Sequence, residues 1–208
     1  MTCAICETRR PRRFCPGVRG DICAICCGTE REISVDCPMD CEYLVEARRR
    51  EKPAAPQGEI PNRDIEVTER LVEENEQLLN TLTAALVRAA LETGAIDADV
   101  REALAALVRT YRTLQSGMLY DTRPAGSFAA TVYDALQGAA QAFRAGEQRQ
   151  FGITRTRDAD VLGLAVFLQR IELDRNNGRA RGRAFIHSMH SFYAESAPPS
   201  ERSSLILP

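Results

Sequence analysis

The sequence predicts a mainly α-helical fold, a helical bundle of about five helices behind a small N-terminal module cross-braced by two zinc ions. Three observations carry that expectation. All eight cysteines lie within the first 41 residues, and the remaining 167 contain none. Beyond them the chain is alanine-rich, with apolar residues recurring at intervals of three and four. Strand-like alternation is weak everywhere outside the cysteine segment. The 208 residues therefore divide into a cysteine-rich zinc-binding module over 1–50, a linker over 51–62, an α-helical bundle over 63–195 and a mobile tail over 196–208.

The module comes first in the chain. Its cysteines, Cys3, Cys6, Cys15, Cys23, Cys26, Cys27, Cys37 and Cys41, follow the pattern C-x2-C-x8-C-x7-C-x2-C-C-x9-C-x3-C. Eight thiolates make two tetrahedral sets of four, the ligand type and number that structural Zn2+ prefers. No apolar leader precedes them, so the expected compartment is the cytoplasm and the thiols are expected to stay reduced. The alternatives are an iron–sulfur cluster, one zinc with free thiols, or disulfides. About 45 residues with few large apolar side chains cannot stabilise themselves by burial alone. Each structural zinc site can supply on the order of 10 kcal/mol of folding free energy in its place.

Adjacent Cys26 and Cys27 project in different directions, which favours one serving each metal. A cross-braced pairing follows, with Cys3, Cys6, Cys23 and Cys26 at one site and Cys15, Cys27, Cys37 and Cys41 at the other. Sequential pairing, Cys3, Cys6, Cys15 and Cys23 followed by the other four, is the alternative. The i, i+4 spacing of Cys37 and Cys41 suits one face of a helical turn continuing through Tyr43, Leu44 and Val45.

In ligand rhythm this segment resembles the treble-clef and cross-brace fingers of the MYND and HIT type, which implies a protein-binding module. Those families commonly place a histidine where this chain has only cysteine, and the likeness covers about the first 45 residues. The run Ile22-Cys23-Ala24-Ile25-Cys26-Cys27-Gly28-Thr29-Glu30-Arg31, followed by Cys37-Pro38-Met39-Asp40-Cys41-Glu42-Tyr43-Leu44, also resembles bacterial proteins with an N-terminal all-cysteine module. That likeness implies a zinc module and a bacterial source, and no activity.

After the linker, Val67, Leu71, Leu78, Leu82 and Leu86 mark one face of a long first helix that should stop at Gly94. Asp97 is expected to cap a second helix carrying Val100, Leu104, Leu107, Tyr111, Leu114 and Met118 at alternating steps of four and three, the cleanest helical signal in the chain. A third helix is expected from about Ser127 to Arg144, with Phe128, Val132, Leu136 and Phe143. The fourth carries Val161, Leu162, Leu164, Val166, Phe167, Leu168 and Ile171 around its whole circumference, which predicts a central position. Asn176-Asn177-Gly178 ends it, and a fifth follows with Phe185, Ile186, Met189, Phe192 and Tyr193. In the tail, Leu205-Ile206-Leu207 is expected to fray, with docking as the alternative.

Charge narrows the function. The net charge of −2 and the pI near 5.8 are unlike those of a dedicated nucleic-acid binder. Residues 1–52 hold ten basic and nine acidic side chains, and two all-thiolate zinc centres would make the module net negative. Arg9, Arg10, Arg12, Arg13, Arg48, Arg49 and Arg50 then serve in part to balance thiolate. In the helical part, Arg179, Arg181 and Arg183, with Arg170 and Arg175 before them, are candidate contacts to an anion or partner; a solvated turn is the plainer reading. His187 and His190 are three apart but lack a third ligand, so they read as ordinary histidines.

No Gly-rich phosphate loop, nucleophile elbow or His-Glu-x-x-His helix occurs, and two all-cysteine sets leave no open metal position. A non-enzymatic interaction or regulatory protein is therefore expected, presenting Arg9–Arg13 and Gly28–Ile33 to a protein partner. Nucleic-acid binding through the finger and Arg179–Arg183 is the alternative, and a thiol redox sensor that releases zinc is a third. No run of 18 apolar residues predicts a membrane span. The helices offer a face for self-association.

Overall fold

The computed structural model describes residues 2–51, 58–117 and 122–196, with side chains through Phe192. At the N-terminus, strands β1 (Arg13–Cys15) and β2 (Gly20–Ile22) pair antiparallel, with Arg13 opposite Ile22 and Cys15 opposite Gly20. The turn between them holds Gly17 against the carbonyl of Asp36, where a Cβ would collide with that oxygen and with Val35. Helix α1 (Ala24–Thr29) follows at once, its first turn capped by the Cys23 sulfur. Helix α2 (Glu42–Arg50) closes the module and buries Leu44 to 1% exposure against Ile22 and Val35. Cys37 stands outside that helix. Pro38 disfavours helical backbone at the residue before it, so the expected helical turn begins only after Cys41.

Residues 52–57, half of the expected linker, lie outside the described residues. The stretch that follows is fastened rather than free. Arg170 donates to the carbonyls of Pro61, Asn62 and Ile65 at 2.8–3.4 Å. Arg112 reaches Asn62 and both carboxylate oxygens of Asp64.

The rest is a bundle of α3 (Glu69–Glu74), α4 (Glu76–Thr93), α5 (Asp97–Gln115), α6 (Ser127–Phe151), α7 (Asp158–Arg175) and α8 (Ala184–Ser196). The expected count of about five becomes six because the first helix breaks at Asn75, where φ is −117° and ψ 24°. The break lets α3 turn onto α7, seating Leu71 against Gly163 where a Cβ would meet its methyl group. Gly94 ends α4 in the left-handed region, as the sequence predicts, and Gly152 does the same for α6. That second stop lies beyond the expected end at Arg144.

α4 packs on α6 and α8, and α5 on α6 and α7. α7 is central, with Val161 through Val166, Leu168, Gln169 and Glu172 buried. Among the described residues no helix is long and apolar enough to cross a membrane. Met118 and the tail segment Leu205-Ile206-Leu207 lie outside the described residues.

Candidate metal centre

Two pieces of backbone supply four thiols. Cys3 and Cys6 come from a tight turn closed by the Glu7 N–H on the Cys3 carbonyl at 2.8 Å, with Glu7 at φ 56°. Cys23 and Cys26 come from the start of α1. The strand β2 brings the two together, since Ala4 N–H donates to the Asp21 carbonyl at 2.9 Å. The four sulfurs lie within 4.8 Å of one another, with Cys3, Cys23 and Cys26 buried and Cys6 half-buried. Zinc bound at ~2.3 Å to four thiolates needs sulfur–sulfur edges of ~3.8 Å, so the set fits a tetrahedral ion. These are the four that a cross-braced pairing groups.

The surroundings prepare thiolate. Cys23 N–H donates to the Cys3 sulfur at 3.2 Å, and Cys26 N–H to the Cys23 sulfur at 3.4 Å. The Thr8 hydroxyl, with the backbone N–H groups of Thr8 and Arg9, brings the Cys6 thiol down to about 5. Burial raises the Cys3 thiol, but the N–H groups of Cys6, Cys23 and Ile5 outweigh it and lower it. Cys26 goes the other way, pushed up to about 12 by burial and then by the sulfurs of Cys23, Cys6 and Cys3. Four thiolates cannot share this space without a cation, which supplies the charge that lets the last proton leave. The Arg9 guanidinium beside Cys23 and Cys6 is itself raised by them and answers part of that charge.

Cys15, Cys27, Cys37 and Cys41 line a second, smaller cavity of about 20 Å³, walled by Ile22, Tyr43 and Leu44. Among the described residues, the Cys3 set is the one cluster with the tighter mutual spacing. Burial pushes the Cys37 thiol up; the Glu32 N–H opposes, while Cys15, Glu32 and Cys41 add to the rise through their charge. Arg13 and Arg31 donate to the Cys27 sulfur at 3.7 and 3.9 Å, and Arg13 lies over the Tyr43 ring at 3.9 Å. Arg13 is thus occupied within the module, as is Arg9 beside Cys23 and Cys6 despite its exposure, whereas Arg10 and Arg12 are exposed.

The C-terminal arginines occupy a different position from a free patch. Arg183 donates to the carbonyls of Gly94 and Ala95 and to Asp36 at 2.6 Å, and its backbone N–H reaches Glu32. Arg179 donates to Glu51 at 2.6 Å. Both fasten the module to the bundle, and Arg181 alone of the three is exposed, though its backbone N–H donates to the Glu32 carbonyl. His187 is half-buried and lowered, first by burial and then by Arg48.

Glu32 is the residue that sequence reasoning missed. It is fully buried at φ 54°, accepting from Arg48 at 2.6 Å, from Asn177 at 2.8 Å and from the Arg183 N–H. Nothing in the polar run from Gly28 to Ile33 marks one acidic residue as buried. Two of its three partners, Asn177 and Arg183, lie 145 and 151 residues away, beyond the reach of any local pattern. Comparison with family models, with curated proteins and with solved structures returns no match.

Proposed function

We propose that residues 1–50 form a finger held by two structural zinc ions, one in each cysteine set, and that the finger is a protein-binding module of a non-enzymatic interaction or regulatory protein. The four-thiol cluster carries this reading: it offers a closed coordination shell and no open position for substrate. The order of cysteine turn, hairpin and helix supports the treble-clef likeness. Cys15, Cys27, Cys37 and Cys41 around one small cavity support a second ion, which would draw their sulfurs inward.

The outer face of the finger supports the partner class. Phe14, Ile25 and Ile33 are 60, 55 and 49% exposed in a module that has few large apolar residues to spare. Arg10 and Arg12 are exposed in the same module, and exposed apolar and basic groups suit a protein surface with an acidic rim. The nucleic-acid reading has lost its main support, since Arg179 and Arg183 are spent inside the molecule.

Elemental mass spectrometry with a thiol count tests the first half. Two zinc atoms per chain, with all eight thiols protected until chelation, is the expected result; iron with sulfide, or reactive thiols at Cys15 and Cys41, overturns it. Photo-crosslinking in cells tests the second half. A crosslinker at Phe14 or Ile33 should trap a discrete protein that one at the bundle residue Phe151 does not, and trapping of nucleic acid instead would reverse the assignment.

A further inference from the structure

Between α3, α4, α7 and α8 runs an apolar groove of about 510 Å³. Val72, Leu79, Phe167, Ile171 and Met189 stand half-buried along it, and Phe192 at its edge is 59% exposed. Leu79, Ile171 and Met189 pack against the bundle's core with one face and give the other to the groove. Apolar surface gathered in one concave strip is costly to leave in water and marks a docking place. Among the described residues, Arg175 is the one charged side chain that lines it, and Asp174 already pairs with it. The chemistry therefore calls for an uncharged, aliphatic occupant. Thr83 on the floor, 5% exposed, adds a hydroxyl that can exchange a hydrogen bond with a peptide backbone.

The sequence carries a matching segment next to the groove. Residues 197–208 follow α8, and Leu205-Ile206-Leu207 is their one aliphatic run. Pro198 and Pro199 disfavour helix beyond Ser196, which frees the chain to turn back. At 1.5 Å per residue, the groove residues from Ser188 to Phe192 lie about 6–12 Å back along α8 from its end at Ser196. Residues 197–204, fully extended, span about 26–29 Å. The run therefore reaches the groove with slack for the turn. A tether of this length holds it there at an effective concentration on the order of millimolar, which favours the chain's own segment over a second copy.

We infer that Leu205-Ile206-Leu207 docks in the groove between α3, α4, α7 and α8, as the chain's own ligand for that face. It covers Met189 and Phe192 and withholds them from other apolar partners. The inference rests neither on the metals nor on what the finger contacts.

Two measurements on the full, metal-loaded chain test it. A benzophenone photo-crosslinker in place of Ser204 leaves the aliphatic run intact. Peptide mass spectrometry of the monomer band is expected to place its crosslinks on the groove, at Met189 and Phe192 above all. Crosslinks spread over the surface overturn the proposal, and groove crosslinks confined to a dimer band overturn it by assigning the groove to another copy. The combined variant Leu205→Ser, Ile206→Ser and Leu207→Ser empties the groove without altering the bundle, which circular dichroism checks. A synthetic peptide of residues 200–208 should then bind this variant saturably and the unaltered chain about tenfold more weakly, because there the tethered segment competes. Equal affinity for the two chains, or no binding to the variant up to about 10 mM peptide, overturns the proposal.

Discussion

Asp97 shows how a residue's role depends on what folds against it. Expected to cap its own helix, it instead accepts the N–H groups of Phe185 and Ile186 at 3.0 and 3.2 Å, closing the start of α8. The start of α5 is closed by Asp99, which accepts from the Ile96 N–H at 2.9 Å. Burial raises Asp97 to about 6, against two N–H groups that pull it down, and Glu172 adds to the rise. The unfolded chain releases that proton near pH 4, so stability falls as pH rises from about 4 to 6 and is level above, by about 3 kcal/mol in all. Asp97→Asn should lack this slope whatever its baseline stability, which denaturant titrations at pH 4.5 and 7 will check. Glu32 is the other decisive residue. Glu32→Ala leaves Arg48 and Asn177 facing each other without an acceptor and should cost about 3–5 kcal/mol. Zinc at the Cys3 set should be unchanged, because Glu32 touches none of those four cysteines, its N–H reaching Cys37 of the other set; loss of that metal in the variant would contradict the separation.

At the scale of elements, the turn between β1 and β2 is where the finger is least tolerant. A methyl group at Gly17 would push away the Asp36 carbonyl, the residue before Cys37. Gly17→Ala should therefore destabilise the module by about 1–3 kcal/mol and lower its metal affinity in a chelator competition. An unchanged affinity would mean that the loop from Asp36 yields freely. In the bundle, Arg170 substitutes for missing local structure by holding three carbonyls of the segment from Pro61 to Ile65. Arg170→Ala should speed amide exchange across that segment and leave α5 and α6 protected. Equal protection in both chains would show that Arg112 and Asn62 suffice.

The whole molecule has two cores joined by a polar seam. The finger's small core is mostly cysteine with Ile22, Val35 and Leu44, whereas the bundle has a continuous apolar core centred on α7. Chelation should therefore unfold the finger and spare most of the helical signal, since α3 to α8 need no metal to bury their apolar faces. Circular dichroism before and after chelator reads this directly; wholesale loss of helix would mean that the seam, through Glu32, Arg179 and Arg183, is required by the bundle as well.

The sequence by itself determined the cysteine module, the helical class, the stop at Gly94 and the central place of α7. Each is local or compositional: ligand spacing, three-four periodicity, a glycine that tolerates positive φ, a helix apolar on all sides. Only the tertiary structure decided the break at Asn75, after which Leu71 meets Gly163 across the bundle. It also decided that Arg179 and Arg183 are fasteners, because their acceptors, Glu51, Asp36 and the end of α4, lie about 90 to 150 residues away. Local patterns report the period and chemistry of a segment. Which buried charge meets which partner depends on how the packed elements are placed, and that information is carried by no single stretch of the chain.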